Sequence, residues 1–187
     1  SPLTGTAVPL EDVPDPVFSQ KIIGDGIAVL PRDGRLVSPV DGEVVSVADT
    51  LHAYGLRSDE GIEVMVHFGL ETVSLKGEFF TCHVKPGDKV KAGDLLAEAD
   101  LKGLEEKQVN TITPVLICGG MEGRSMNAAL GPVTAGKDAV ITLLDQCPPE
   151  AESSQTAPDD SPVSKPAKKK SKSLINFDFL QKLGKVL

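Results

Sequence analysis

The clearest structural signal in this chain is the run GIEVMVHFG, residues 61–69. Two sets of side chains alternate along it, and this period of two predicts a β-strand with the sets on opposite faces: Ile62, Val64 and Val66 against Glu63, Met65 and His67. His67 therefore lies on the face away from the three aliphatic side chains. Gly69 follows, and its lack of a Cβ allows another part of the backbone to approach closely.

Around this run the sequence consists of short β-rich segments separated by turn signals, from about residue 21 to residue 144. Asp41-Gly42 is a strong hairpin signal, and it is followed by Val44-Val45-Ser46-Val47. A short helix is predicted only at Leu101–Gln108, and Gly103 limits its length. We therefore predict an all-β, antiparallel sandwich or barrel-like domain with one or two short helical turns.

The 187 residues leave room for one domain with tails. We assign residues 1–147 to the domain, with a core at about 17–145 and a proline-rich, extended start over residues 1–19. Residues 148–173 are predicted to be a disordered linker, since their Ser, Asp, Ala and Lys side chains bury too little apolar area to fold. Residues 174–187 regain apolar side chains between lysines and form an amphipathic tail.

The composition excludes several classes of function. A net charge of -8 argues against nucleic-acid binding, which needs a basic surface. No signal peptide and no long apolar run occur in the sequence. Cys82, Cys118 and Cys147 form no C-x-x-C pair, so we expect reduced thiols in a cytosolic protein.

Histidine is the main candidate residue type for catalysis in this chain, which has three: His52, His67 and His83. A neutral imidazole nitrogen is nucleophilic near pH 7 while the other nitrogen is held by a hydrogen bond, which suits phosphoryl relay. A second imidazole can donate to the transferred group, and a hydroxyl such as that of Thr50 can orient it. From the residues alone, ordinary structural histidines and an incomplete zinc pair of His52 and His67 remain open.

Several motifs in the right order connect the chain to a known family. They are GIEVMVHFGLETV at 61–73, VFSQKIIGDG at 17–26, SPVDG at 38–42, LHAY at 51–54, VKPGDKVKAGD at 84–94 and TPV at 113–115. Over roughly residues 10–145 the chain resembles the glucose-family enzyme IIA domain of the bacterial phosphoenolpyruvate-dependent sugar phosphotransferase system. The pattern at 84–96 also occurs in biotinyl and lipoyl carriers and in lysostaphin-type zinc peptidases. Both alternatives lack their reactive residues in this chain.

The resemblance implies a phosphotransferase that works as a phosphohistidine relay. His67 would accept phosphate from the phosphocarrier HPr on its outer ring nitrogen and pass it to a cysteine of an enzyme IIB domain. His52 would hydrogen-bond the phosphate, Thr50 would orient His52, and both histidines would lie in a shallow apolar depression with His67 open to solvent. No obligate metal or other cofactor is implied. The implied partner-binding surface is an apolar rim with a carboxylate: Phe18, Ile22, Met65, Val73 and Glu71.

The same resemblance supplies a rival function and a cellular context. Unphosphorylated members of the family regulate permeases or kinases, in some cases through a zinc bridging two histidines and a partner's glutamate. We expect a cytoplasmic protein. NFDFLQKLGK at 176–185 is similar to the entry of a membrane IIC domain, so one arrangement that the resemblance implies is a IIA domain tethered to the inner face of the membrane. His83 is expected to be structural or solvated. The sugar and the oligomeric state are not predicted.

Overall fold

The computed structural model describes residues 1–145 and contains thirteen strands in that range. Cys147, the predicted linker at 148–173 and the predicted tail at 174–187 lie outside the described residues. The strands are β1 Gly5–Pro9, β2 Asp25–Pro31, β3 Arg35–Val37, β4 Gly42–Val47, β5 Ala53–Ser58, β6 Glu63–His67, β7 Phe80–Cys82, β8 Lys89–Val90, β9 Leu95–Ala99, β10 Thr113–Gly119, β11 Arg124–Ala128, β12 Gly131–Val133 and β13 Ile141–Asp145. Two α-helical turns, α1 Pro16–Ser19 and α2 Leu101–Glu106, and two 3-10 turns, Leu10–Asp12 and Thr72–Leu75, complete the described part.

These strands form one large sheet and two small ones. The large sheet has the order β12-β1-β2-β10-β6-β5-β4-β8, and the small sheets are β3-β9-β7 and β11-β13. Every recorded strand pairing is antiparallel. The predicted all-β, antiparallel class is therefore confirmed.

The main core is aliphatic, as expected for a chain with no Trp and one Tyr. It packs one face of the large sheet against the β3-β9-β7 sheet, with side chains from both among its members: Val29, Leu56, Val64, Val66, Val115, Leu36, Phe80 and Leu96. Burying this many branched apolar side chains is the main source of stability in such a domain. Val64 and Val66 lie on this side of β6, as the alternation predicted.

A second apolar cluster covers the opposite face of the large sheet. The chain segment from Leu10 to Ile23 lies over β2, β6 and β10, and its side chains pack on Ala28, Met65 and Leu116. Consequently all five residues of β6 are buried. The face of β6 that carries Met65 and His67 is buried because this N-terminal segment covers it.

The structure of residues 1–19 agrees with the sequence prediction only in part. β1 is extended, as predicted for residues 1–19, but Pro16–Ser19 forms a helical turn. The Asp15 carboxylate accepts the Val17 N–H at 2.7 Å, and Pro16 begins the turn without needing a hydrogen-bond partner for its nitrogen. The short helix predicted at Leu101–Gln108 is confirmed, although it ends at Glu106.

The hairpin predicted at Asp41-Gly42 is wrong. β3 pairs with β9 and β4 pairs with β5 and β8, so the strands before and after this turn belong to different sheets. Gly42 has another role: a Cβ at this position would lie 2.1 Å from the Arg57 carbonyl oxygen of β5.

None of the helices in residues 1–145 has the length and apolar character needed to cross a membrane.

Candidate active site

The pairing of β5 with β6 brings His52 and His67 together. Ala53, the first residue of β5, is directly opposite His67, and the Phe68 N–H donates to the His52 carbonyl at 2.7 Å. The two ring centroids are 4.7 Å apart, with an angle of 73° between the ring planes. Histidines 15 positions apart in the sequence thus form an edge-to-face pair where β6 ends and β5 begins.

A backbone carbonyl fixes the tautomer of His67. Its Nδ1 lies 2.8 Å from the Gly69 carbonyl oxygen, which can only accept a hydrogen bond. Nδ1 therefore carries the proton, and Nε2 carries the lone pair. Gly69 has φ 71°, and a Cβ there would lie 2.8 Å from the Thr72 methyl carbon and 3.0 Å from the Asn110 carbonyl oxygen. Only glycine fits this turn without strain, so the residue that holds His67 is itself fixed by close packing.

The His67 ring is less accessible than the sequence suggested. It was expected to be open to solvent, but only 8% of the residue is exposed. The cause is the N-terminal segment, which places the Phe18 ring 5.1 Å from the His67 ring. Burial lowers the pKa of His67, while the Gly69 carbonyl and the Asp15 carboxylate act in the opposite direction. The ring is therefore neutral near pH 7.

His52 is held by Thr50, the neighbour predicted for this position. The Thr50 Oγ1 lies 2.6 Å from His52 Nδ1. Burial, followed by the proximity of His67, lowers the pKa of His52 to about 3, so this ring is also neutral near pH 7. Its Nε2 is the one buried side-chain nitrogen or oxygen in residues 1–145 without a hydrogen-bond partner. Buried polar atoms are rarely left unpaired, so this nitrogen is a candidate contact for a group that enters the site.

Asp15 is a site residue that the sequence reasoning missed. Its carboxylate caps α1, which carries Phe18, and its charge favours the protonated form of His67. Lys21 pairs with both Glu11 and Asp25 at 2.9 Å and ties the end of this segment to β2. The sequence Asp15-Pro16 was an available signal, because it is typical of a helix start.

The predicted partner-binding residues separate into two groups. Ile22 is 63% exposed, Glu71 is exposed and Val73 is half-buried, so these three line the surface. Phe18 and Met65 are buried in the second apolar cluster. Those two side chains are buried because the N-terminal segment folds over β6, and the Phe18 ring contacts the His67 ring.

The remaining histidine and cysteines lie outside the pair. His83 Nε2 is 3.0 Å from the Glu98 carboxylate. Cys82 and Cys118 are free thiols, and burial raises the pKa of Cys118 to about 12, which keeps it unreactive. Within residues 1–145, three or more His, Cys, Asp or Glu side chains nowhere converge into a metal-binding group. His52 and His67 would supply two ligands of a zinc site, and a partner would have to supply the rest.

The fold and the histidine pair define an all-β domain with a neutral, hydrogen-bonded imidazole suited to nucleophilic group transfer. The sequence model of the phosphoenolpyruvate-dependent sugar phosphotransferase system family EIIA 1 matches residues 1–122, and the chain belongs to this family. It is therefore a phosphoryl carrier in sugar import, and the comparisons do not favour the regulatory alternative.

Individual relatives agree with the family assignment. The "PTS system glucose-specific EIIA component" of Halalkalibacterium halodurans is 55% identical over 117 residues, which are 63% of this chain and 68% of the relative. The protein of the same name from Oceanobacillus iheyensis is 45% identical over 145 residues, 77% of this chain and 88% of the relative. Among solved structures, the glucose permease IIA of Mycoplasma capricolum matches with a TM-score of 0.70 at 34% identity, covering 75% of this chain and 92% of that one.

Proposed function

We propose that His67 Nε2 is the phosphoryl carrier, loaded by phosphorylated HPr and unloaded by a cysteine of an enzyme IIB domain. The observation that carries the proposal is the 2.8 Å hydrogen bond from His67 Nδ1–H to the Gly69 carbonyl. It leaves Nε2 as the nucleophilic nitrogen in a ring that burial keeps neutral. Such pre-set tautomers are how proteins activate imidazole for nucleophilic catalysis.

The loading step conserves electrons without moving a proton between the rings. The Nε2 lone pair forms the new P–N bond, and the electrons of the bond broken in the donor stay on the donor atom that carried the phosphoryl group. The loaded His67 ring keeps its Nδ1 proton and becomes cationic. The Gly69 carbonyl and the Asp15 carboxylate stabilise that charge, since both favour the protonated ring. In unloading, the cysteine thiolate attacks phosphorus and the P–N electrons return to Nε2.

His52 is proposed to bind the transferred group. Its orphaned Nε2 carries a proton when Nδ1 accepts the Thr50 hydroxyl, and the phosphoryl oxygen on His67 would be its missing acceptor. The ring centroids are 4.7 Å apart, so a phosphoryl group carried by one imidazole would lie close to the other. A preorganised donor of this kind stabilises charge that develops during transfer.

The test is phosphorylation by phosphoenolpyruvate, enzyme I and HPr, followed by intact-mass measurement for one acid-labile phosphoryl group. The wild-type chain should take up one group, and His67→Gln should take up none. His83→Gln is the matched control, because it removes a histidine that pairs with Glu98 outside the site, and it should label like wild type. Full labelling of His67→Gln would end the assignment.

The role of His52 has a separate signature. His52→Gln should accept phosphate from HPr but pass it to a IIB domain about a hundredfold more slowly, the loss typical when one charge-stabilising donor is removed. The measurement is single-turnover transfer from the phosphorylated variant to purified IIB. Transfer at the wild-type rate would contradict the role.

We further propose that the domain works in the cytoplasm, tethered through residues 148–187 to a membrane IIC domain. The tail is similar to the entry of such a domain, and a tether raises the effective concentration of IIA at its acceptor. Cell fractionation tests this: the natural protein should sediment with membranes, and the chain truncated after residue 147 should not.

A further inference from the structure

We propose that the Tyr54 hydroxyl is the positioning group that holds the Thr50–His52 turn in the conformation needed for phosphoryl transfer. The inference rests on the proposed role of His52 and adds to it a residue outside the reacting groups. It follows from one contact, since the Tyr54 hydroxyl donates to the Leu51 carbonyl at 2.8 Å.

The turn it holds is not one that the local sequence favours. Leu51 has φ 58°, in the left-handed region that a branched, non-glycine residue rarely occupies. Such conformations persist only where the surroundings enforce them. Neighbouring backbone groups have their own partners: Leu51 N–H donates to the Ala48 carbonyl at 2.8 Å within the turn, and the His52 carbonyl accepts Phe68 N–H at 2.7 Å. The carbonyl between them, that of Leu51, is held by Tyr54.

Tyr54 is well placed to act as a rigid support. It lies in β5 between Val66 of β6 and Val47 of β4, and it is 1% exposed within the main core. Burial raises the pKa of its phenol, so the hydroxyl remains a donor at any working pH. The Cys82 thiol donates to the Val84 carbonyl at 3.0 Å and, as a neighbour of the Tyr54 hydroxyl, adds to the rise in the pKa of the phenol.

The position of Leu51 explains why this bond concerns catalysis. Leu51 stands between Thr50 and His52, so its backbone angles decide whether the Thr50 hydroxyl reaches His52 Nδ1, at 2.6 Å. Rotation of the Leu51–His52 peptide would break that contact and turn Nε2 away from His67. Tyr54 thus controls both the orientation and the tautomer of the phosphate-binding ring from beneath the turn.

The experiment compares Tyr54→Phe, which keeps the packed ring and removes only the hydroxyl, with Ser38→Ala. Ser38 is a matched control, because it is also fully buried and its hydroxyl donates to a backbone carbonyl, that of Val40, at 2.7 Å. Tyr54→Phe should label with phospho-HPr as wild type does, yet transfer to IIB about fivefold more slowly, the factor that one typical hydrogen bond supplies. Its His52 ring should show averaged tautomers in ¹⁵N NMR where wild type shows one.

A double-mutant cycle then separates positioning from general stability. In a His52→Gln background, Tyr54→Phe should cause no further loss of transfer, since both changes act through the same ring. Wild-type transfer by Tyr54→Phe, an unchanged His52 spectrum, an equal loss in Ser38→Ala or an additive cycle would each overturn the inference. If His52→Gln alone transfers normally, the proposed role of His52 fails first, and the inference fails with it.

Discussion

Replacing His52 with Gln should make the protein less sensitive to mild acid, because a histidine buried in its neutral form opposes protonation. The pKa of His52 falls from 6.5 to about 3 on folding. Between those values the unfolded chain binds a proton that the folded chain does not. Stability is therefore complete above the unfolded pKa and is lost as the pH falls below it. From about pH 7.5 to about pH 5, this one group should remove about 2 kcal/mol from the free energy of unfolding.

Urea unfolding followed by far-UV circular dichroism measures this loss at each pH. The carboxylates titrate alike in wild type and variant, so the difference between the two curves isolates His52. His52→Gln should lose about 2 kcal/mol less than wild type over that pH range. His83→Gln, which removes a histidine outside the pair, is the matched control. If His52→Gln and wild type lose the same stability, the neutral, desolvated state assigned to His52 is refuted.

Three further predictions concern the surroundings of the histidine pair. Thr50→Val should slow transfer to IIB about fivefold while Thr50→Ser restores it, because only the hydroxyl is needed; equal rates for the two variants would contradict this. Gly69→Ala should lower the free energy of unfolding, measured in urea, by at least about 2 kcal/mol and should reduce labelling. Gly87→Ala is the control, because Gly87 has φ 94° and no atom lies within 4 Å of the added Cβ. It should lose less free energy of unfolding and should label normally. Ile22→Ser should raise the KM for phospho-HPr with unchanged urea stability, and Leu130→Ser, a similarly exposed apolar side chain elsewhere, should leave KM unchanged.

Local pattern was sufficient for the class of fold and for one face of the central strand. The alternation in residues 61–69 placed Val64 and Val66 in the main core, and the short turn-separated segments predicted an all-β domain. The motif around His67 also located the nucleophile candidate and its neighbour Gly69. These features can be predicted from the sequence because the direction of a side chain in a strand depends only on its position along the chain.

Contacts between distant segments were decided by the tertiary structure alone. The second face of β6 is buried because residues 10–23 fold over it, and this covering, with Asp15 and Phe18, makes His67 an almost enclosed ring. The Asp41-Gly42 signal predicted a hairpin, but the flanking strands found partners in different sheets.

The geometry of the histidine pair shows the same division. The motifs identified His52 and Thr50 as candidates. The 4.7 Å ring separation, however, results from the register of β5 on β6. The turn that contains Thr50 and His52 depends on the left-handed conformation of Leu51, whose carbonyl accepts the Tyr54 hydroxyl. Residue types and spacing report local preference. The relative positions of the side chains in the site depend on strand register and on packing that overrides local preference. Both exist only once the whole domain has folded.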